Sequence, residues 1–186
     1  DIKQTRPMRR LLQGDVGSGK TLVAFYALYC AAKAGRQAAM LAPTEILVEQ
    51  HYRNAKSILQ GLGISVGMLK AGMKQSEKNE VLGNIESGGY DVVIGTHSLL
   101  SENVIFKDLA LVVADEQHRF GVKQRSAISA KGIAPHMLIM SATPIPRTLA
   151  LIVYGDLDIS VLDELPPGRT PVQTRIVLPN KRDDMY

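Results

Sequence analysis

A chain of 186 residues, 45% hydrophobic and 22% charged, has enough apolar material for one domain with a substantial core. Its single cysteine, Cys30, excludes an internal disulfide and suits a reducing, cytoplasmic setting, and no apolar run approaches the roughly 20 residues of a membrane span. The formal charge of +4 permits an anionic partner without requiring one.

The opening Asp1–Arg10 is polar and basic, and Leu11–Gln13 reads as a short strand. Next comes Gly14-Asp15-Val16-Gly17-Ser18-Gly19-Lys20-Thr21, which fits the phosphate-loop pattern G-x-x-x-x-G-K-[ST]. Glycines at 14, 17 and 19 allow a tight bend that converges backbone N–H groups on phosphate oxygens. A helix opening at Lys20 aims its positive dipole end at the same anion. Lys20 can reach the β and γ phosphates, and the Thr21 hydroxyl can take a place on Mg²⁺. The spacing of Leu22, Phe25, Tyr26 and Tyr29 predicts a helix over Thr21–Ala34, and Gly35 stops it. Cys30 lies in this apolar stretch and reads as a buried packing thiol.

Ala38–Ala42 predicts a buried strand, after which Thr44 caps a helix reaching about Gln60. Ile64–Leu69 predicts a strand, and Ser76–Glu86 a mixed-charge helix with a solvated face. Asp91–Gly95, Leu109–Ala114 and Met137–Met140 are continuous apolar runs, as parallel strands covered on both faces require. Helical or loop segments, including Arg119–Lys131 and Arg147–Tyr154, alternate with these runs. Two further strands are expected at Ile159–Leu162 and Val172–Leu178, on either side of the stiff break Pro166-Pro167-Gly168. The alternation predicts an α/β, three-layer domain with a mainly parallel sheet.

Hydrolysis of a triphosphate also needs acidic groups at the end of a buried strand. Asp115 and Glu116 follow the run Leu109–Ala114, at the edge where open parallel sheets bind ligands. Asp115 would hold Mg²⁺ and Glu116 would polarise the attacking water. Ser141 and Thr143 end the next apolar run, where they read by themselves as strand-ending and helix-capping residues. His51 and His136 have no chemical context and read as structural; His97 reads as a hydrogen-bonded loop histidine. Arg119, Lys123, Arg125 and Lys131 occupy a stretch, 117–132, without acidic residues, by default a solvated basic helix.

The phosphate loop, Ala42-Pro43-Thr44-Glu45, Gly95-Thr96-His97, Asp115-Glu116-Gln117-His118 and Ser141-Ala142-Thr143-Pro144 occur in the order found in superfamily 2 helicases. The blocks 115–122, 143–150 and 163–169 more closely resemble the RecG family of bacterial branch-migration helicases, and the resemblance covers nearly the whole chain. It implies a RecA-like P-loop NTPase fold, with ATP and Mg²⁺ as ligands. The Ser141–Thr143 strand would lie between the phosphate-loop strand and the Asp115 strand, placing Ser141 and Thr143 beside the γ-phosphate. Gln117 and His118 would belong to the catalytic set with Lys20, Asp115 and Glu116, and would couple nucleotide state to DNA binding. Pro43, Thr44, Thr96 and His97 would face the DNA backbone.

The same resemblance implies branched duplex DNA as partner. It also implies a second motor lobe and a DNA-junction wedge domain elsewhere in the polypeptide. Residues 1–165 would be the first motor lobe and 166–186 the start of the crossing to the second. The opening at Asp1 rather than Met agrees with a piece of a longer protein. Alternatives are the motor of a transcription–repair coupling translocase, which shares the block Thr143-Pro-Ile-Pro-Arg-Thr148, and a small-molecule kinase on a phosphate-loop fold.

Overall fold

The computed structural model describes residues 6–115, 135–143 and 157–164. Strands β1 (Arg9–Gly14), β2 (Gln37–Leu41), β3 (Val66–Leu69), β4 (Val92–Gly95), β5 (Leu109–Asp115), β6 (His136–Ser141) and β7 (Asp158–Leu162) form one sheet in the order β3-β4-β2-β5-β6-β1-β7. Every pairing is parallel. Parallel neighbours need crossovers, and the chain supplies helices α1 (Lys20–Lys33), α2 (Glu45–Leu59) and α3 (Gln75–Ser87) between successive early strands.

Side chains alternate across the sheet and build two cores. On one face Leu12, Met40, Ile94, Val113 and Met140 meet Ala24, Leu28 and Ala31 of α1 and Val48, Ala55 and Leu59 of α2. On the other face Leu11, Leu41, Val93, Val112 and Ile139 meet Val81 and Ile85 of α3 and Leu99 of a short 3₁₀ turn, His97–Leu100. All seven residues of β5 are buried, which explains why that run contains no polar alternation. The three-layer arrangement agrees with the sequence, and β6 does lie between β1 and β5.

Element ends shift by one or two residues: β1 begins at Arg9 rather than Leu11, and β5 extends through Asp115. The buried face of α1 does not follow the spacing that marks the helix. Leu22 and Tyr26 are 66% and 69% exposed, while Ala24, Phe25, Ala27, Leu28, Ala31 and Ala32 are buried. Helix α1 is apolar nearly all round, so periodicity could not select its face. The alanines win because their small side chains let the helix lie close to the sheet. Leu22, Tyr26 and Tyr29 instead border a surface groove of about 310 Å³ with Ile58 and Leu62. Cys30 is half-buried rather than buried. The expected helices at 119–131 and 147–154, the strand at 172–178 and the break at 166–168 lie outside the described residues.

His136 fastens the entry of β1 to β6. The Met8 N–H donates to His136 Nδ1 at 2.8 Å, and the Met137 N–H donates to the Met8 carbonyl at 2.7 Å. Burial, and then the charge of Arg36, hold the imidazole below its ordinary 6.5. A depressed native pKa means the unfolded chain binds the proton first. Stability conferred by neutral His136 is therefore complete above about 6.5 and declines as pH falls toward the native value. Urea unfolding of the chain across this window should show that decline, and His136→Asn, which keeps an acceptor but cannot titrate, should flatten it.

Candidate functional site

Residues 14–20 join β1 to α1 through a compact loop. Gly17 and Gly19 have φ of 81° and 90°, left-handed conformations that suit glycine. Gly14 is needed for space instead: a Cβ there would lie 2.5 Å from Ser18 Oγ and 3.0 Å from Leu162 Cβ. Gly19 starts α1 without any side-chain cap, leaving the N-terminal turn to face an anion. Lys20 is buried, and its Nζ donates to the carbonyls of Gly14 at 2.8 Å and Asp15 at 2.7 Å. Inside the loop, the Ser18 N–H donates to the Asp15 carbonyl at 3.1 Å and the Val16 N–H to Asp15 Oδ1 at 2.7 Å. Ser18 Oγ is buried without a hydrogen-bond partner. An uncapped helix start, an ammonium group and an orphaned hydroxyl are a donor set that suits phosphate oxygens. A cleft of about 290 Å³ adjoins the loop, lined by Gln13, Gly14, Asp15, Ala142, Val161 and Leu162.

The sheet brings three chemically distinct strand ends together. Asp115 of β5 is level with Met140 of β6, which is level with Leu12 of β1; one step on, Ser141 is level with Gln13. Asp115, Ser141 and the start of the loop thus share one edge across adjacent strands. Asp115 is 9% exposed, and its Oδ2 lies 2.6 Å from Nε2 of His51, itself 5% exposed. Ser141 Oγ donates to the Thr143 carbonyl at 3.2 Å and lies 3.1 Å from Thr143 Oγ1, so the two hydroxyls bond within their own turn. Among the described residues no three His, Cys, Asp or Glu side chains cluster as a metal cage. Mg²⁺ needs no such cage, since it ordinarily takes one or two protein groups plus phosphate oxygens and water, and Thr21 and Asp115 are the residues that could serve it. Glu116, Gln117 and His118 lie outside the described residues.

A second patch follows β2 and β4. Leu41 is level with Gly95, and the Ala42 N–H donates to the Gly95 carbonyl at 2.9 Å, so Pro43–Thr44 and Thr96–His97 leave the sheet side by side. Thr44 caps α2 by accepting the Leu47 N–H at 3.3 Å, and Thr96 caps its 3₁₀ turn by accepting the Ser98 N–H at 3.4 Å. Pro43, Thr44 and His97 are exposed, whereas Thr96 is buried.

Comparison with known proteins adds the family. The DEAD/DEAH box helicase family matches residues 3–152. The chain belongs to that helicase family. The helicase domain is also similar to ATP-dependent DNA helicase RecG of Synechocystis sp., with 50% identity over 186 residues, all of this chain and 22% of the relative. RecG of Acidithiobacillus ferridurans is 54% identical over 98% of this chain and 26% of its own length. RecG of Aquifex aeolicus is 48% identical over all of this chain and 24% of its own. The chain therefore spans about a quarter of the curated relatives it matches. Among solved structures, RecG bound to a three-way DNA junction superposes with a TM-score of 0.82 at 45% identity, over 100% of this chain and 25% of that one. The Pyrococcus furiosus Hef helicase domain shares the fold, with a TM-score of 0.68 at 21% identity over 86% of this chain and 36% of that one.

The contact from His51 to Asp115 was not legible as a site in the sequence. Its only local signal is that His51 lies seven residues after the cap Thr44, about two turns along α2. The patch at Thr96–His97 depends on Gly95, where a Cβ would meet the Leu69 carbonyl oxygen at 2.5 Å and Leu99 Cγ at 2.8 Å. Gly95→Ala should cost about 1–3 kcal/mol through overpacking. Urea unfolding checks that cost, and amide exchange should rise locally around residues 96–99.

Proposed function

We propose that the chain is the ATP-binding first motor lobe, residues 1–165, of a DNA helicase that couples ATP hydrolysis to remodelling branched duplex DNA such as forks and Holliday junctions. Residues 166–186 would begin the crossing to a second motor lobe, and a wedge domain would engage the junction. The observation that carries this reading is the shared edge: the phosphate loop leaves β1, Ser141 ends β6 and Asp115 ends β5, in adjacent strands. Likeness to RecG along the entire chain favours the branched-DNA motor over a small-molecule kinase or a transcription–repair coupling motor.

The residues have separable tasks. Gly14, Asp15, Val16, Gly17, Ser18 and Gly19 wrap the phosphates with backbone amides, and Lys20 moves its ammonium from loop carbonyls to the β and γ oxygens. Thr21 and Asp115 hold Mg²⁺, which when bound neutralises charge on those phosphates. Glu116 orients and accepts a proton from the attacking water, while Ser141 and Thr143 sense the γ-phosphate and Gln117 and His118 relay its state to DNA. The exposed Pro43, Thr44 and His97 face the DNA backbone, to which helix-start amides are suited donors, and the buried Thr96 holds the turn that presents His97. Arginine donors from the second lobe complete the transition-state stabilisation.

In the full-length protein, Lys20→Ala should abolish measurable ATP affinity in an equilibrium binding assay. Glu116→Gln should bind ATP normally yet lose about 10²-fold or more of DNA-stimulated turnover. Normal turnover by the Glu116→Gln protein would remove the base assignment. The 186-residue chain alone should bind ATP weakly and turn over little with or without junction DNA; robust hydrolysis would show that no second lobe is required.

A further inference from the structure

The atom that meets the Asp115 carboxylate belongs to a helix with no part in the phosphate loop. His51 projects from α2, and its Nε2 approaches Asp115 Oδ2 to 2.6 Å at a site where both residues are buried. The bond requires a donor facing an acceptor-only carboxylate, so Nε2 carries the proton. Nδ1 is buried with no hydrogen-bond partner. The ring therefore engages the carboxylate through Nε2 alone, with its one hydrogen bond aimed at Asp115.

The ring is also braced. Phe25 of α1 meets it edge-on at 6.5 Å between centroids, with an 87° angle between planes. Phe25 is itself 3% exposed. Packing from α1 and the anchoring of α2 thus leave the imidazole little freedom, and a short charge-assisted bond transmits that rigidity to one carboxylate oxygen. That bond uses one lone pair of Oδ2 and fixes how the carboxylate faces the ion or its water.

We propose that His51 is a positioning residue for Mg²⁺: its Nε2–H holds the Asp115 carboxylate in the orientation that takes the ion with bound ATP. This rests on the reading of Asp115 as a magnesium ligand. A group behind a ligating carboxylate fixes its geometry before the metal arrives, and removing such a partner typically costs about 10–100-fold in metal affinity or activity. The alternative is that His51 only compensates a buried carboxylate, in which case its loss would alter folding stability but not the magnesium requirement.

The decisive measurement is binding of a fluorescent ATP analogue to the full-length protein, titrated with Mg²⁺ from a chelator-treated start. His51→Leu should raise the Mg²⁺ concentration at half-saturation by about 10–100-fold while leaving magnesium-free nucleotide binding unchanged. His51→Gln, whose amide nitrogen falls near the Nε2 position, should recover most of that shift. If the leucine protein does not fold by circular dichroism, His51→Asn replaces it, because its shorter amide reaches only the Nδ1 position. A half-saturation within twofold of the parent for the Leu (or Asn) protein, or equal shifts for it and the Gln protein, would overturn the proposal. Asp115→Asn runs in parallel. A shift there without one at His51 rejects only the positioning role, whereas no shift at Asp115 removes the magnesium reading and this inference together.

Discussion

Seven strands running in one direction place all their carboxyl ends along one edge, and the candidate site depends on that polarity. The order β5-β6-β1 makes neighbours of three segments that lie far apart in sequence: the residues around 14, 115 and 141. Parallel pairing forces crossovers, and among the described residues α1 and α2 cover one face of the sheet and α3 the other. Strand β5, so enclosed, satisfies its own N–H and C=O groups through β2 and β6 and delivers its last residue in a defined place.

That last residue is a carboxylate, which makes its surroundings matter. Removing a charge from water is expensive unless a partner and hydrogen bonds offset the loss. At Asp115 the partner is a buried imidazole at 2.6 Å, in contrast with the ion pairs on the surface. Arg36 and Asp108 form a two-bonded pair at 2.8 and 2.7 Å, but their side chains are 40% and 52% exposed. Lys70 and Glu49 are 27% and 47% exposed. Pairs in such wet positions typically contribute little to stability. Gln37, another buried polar side chain, is fully engaged: it donates to the carbonyls of Ile85 and Tyr90 and accepts from the amides of Lys107 and Asp108. That one side chain ties the start of β2 to the end of α3 and the approach to β5.

Several features were open to reading because their chemistry is local. The phosphate loop needs particular residues at particular spacings, and Gly17 and Gly19 do take the left-handed conformations that a tight bend asks of glycine. Thr44 was recognisable as a cap, and it is one. The unbroken apolar runs at β4 and β5 announced strands covered on both sides. The orientation of α1 was not readable, because an all-apolar helix has no contrast between its faces; close packing on the sheet chose alanines over Leu22 and Tyr26. His51 was passed over for a related reason. A lone histidine on a helix carries no pattern, and its partner lies 64 residues away.

Among the described residues the sequence alone determined the element types, the parallel α/β class and the positive-φ glycines of the phosphate loop, since these depend on side-chain periodicity and backbone preferences within short windows. It also carried the ordered blocks that mark a helicase. Only the tertiary structure decided which strand ends adjoin, which face of α1 is buried, that Thr96 is covered while His97 is exposed, and that His51 grips Asp115. Those outcomes depend on sheet order and on competition among side chains for one buried volume, and neither is encoded in any stretch short enough to read by pattern.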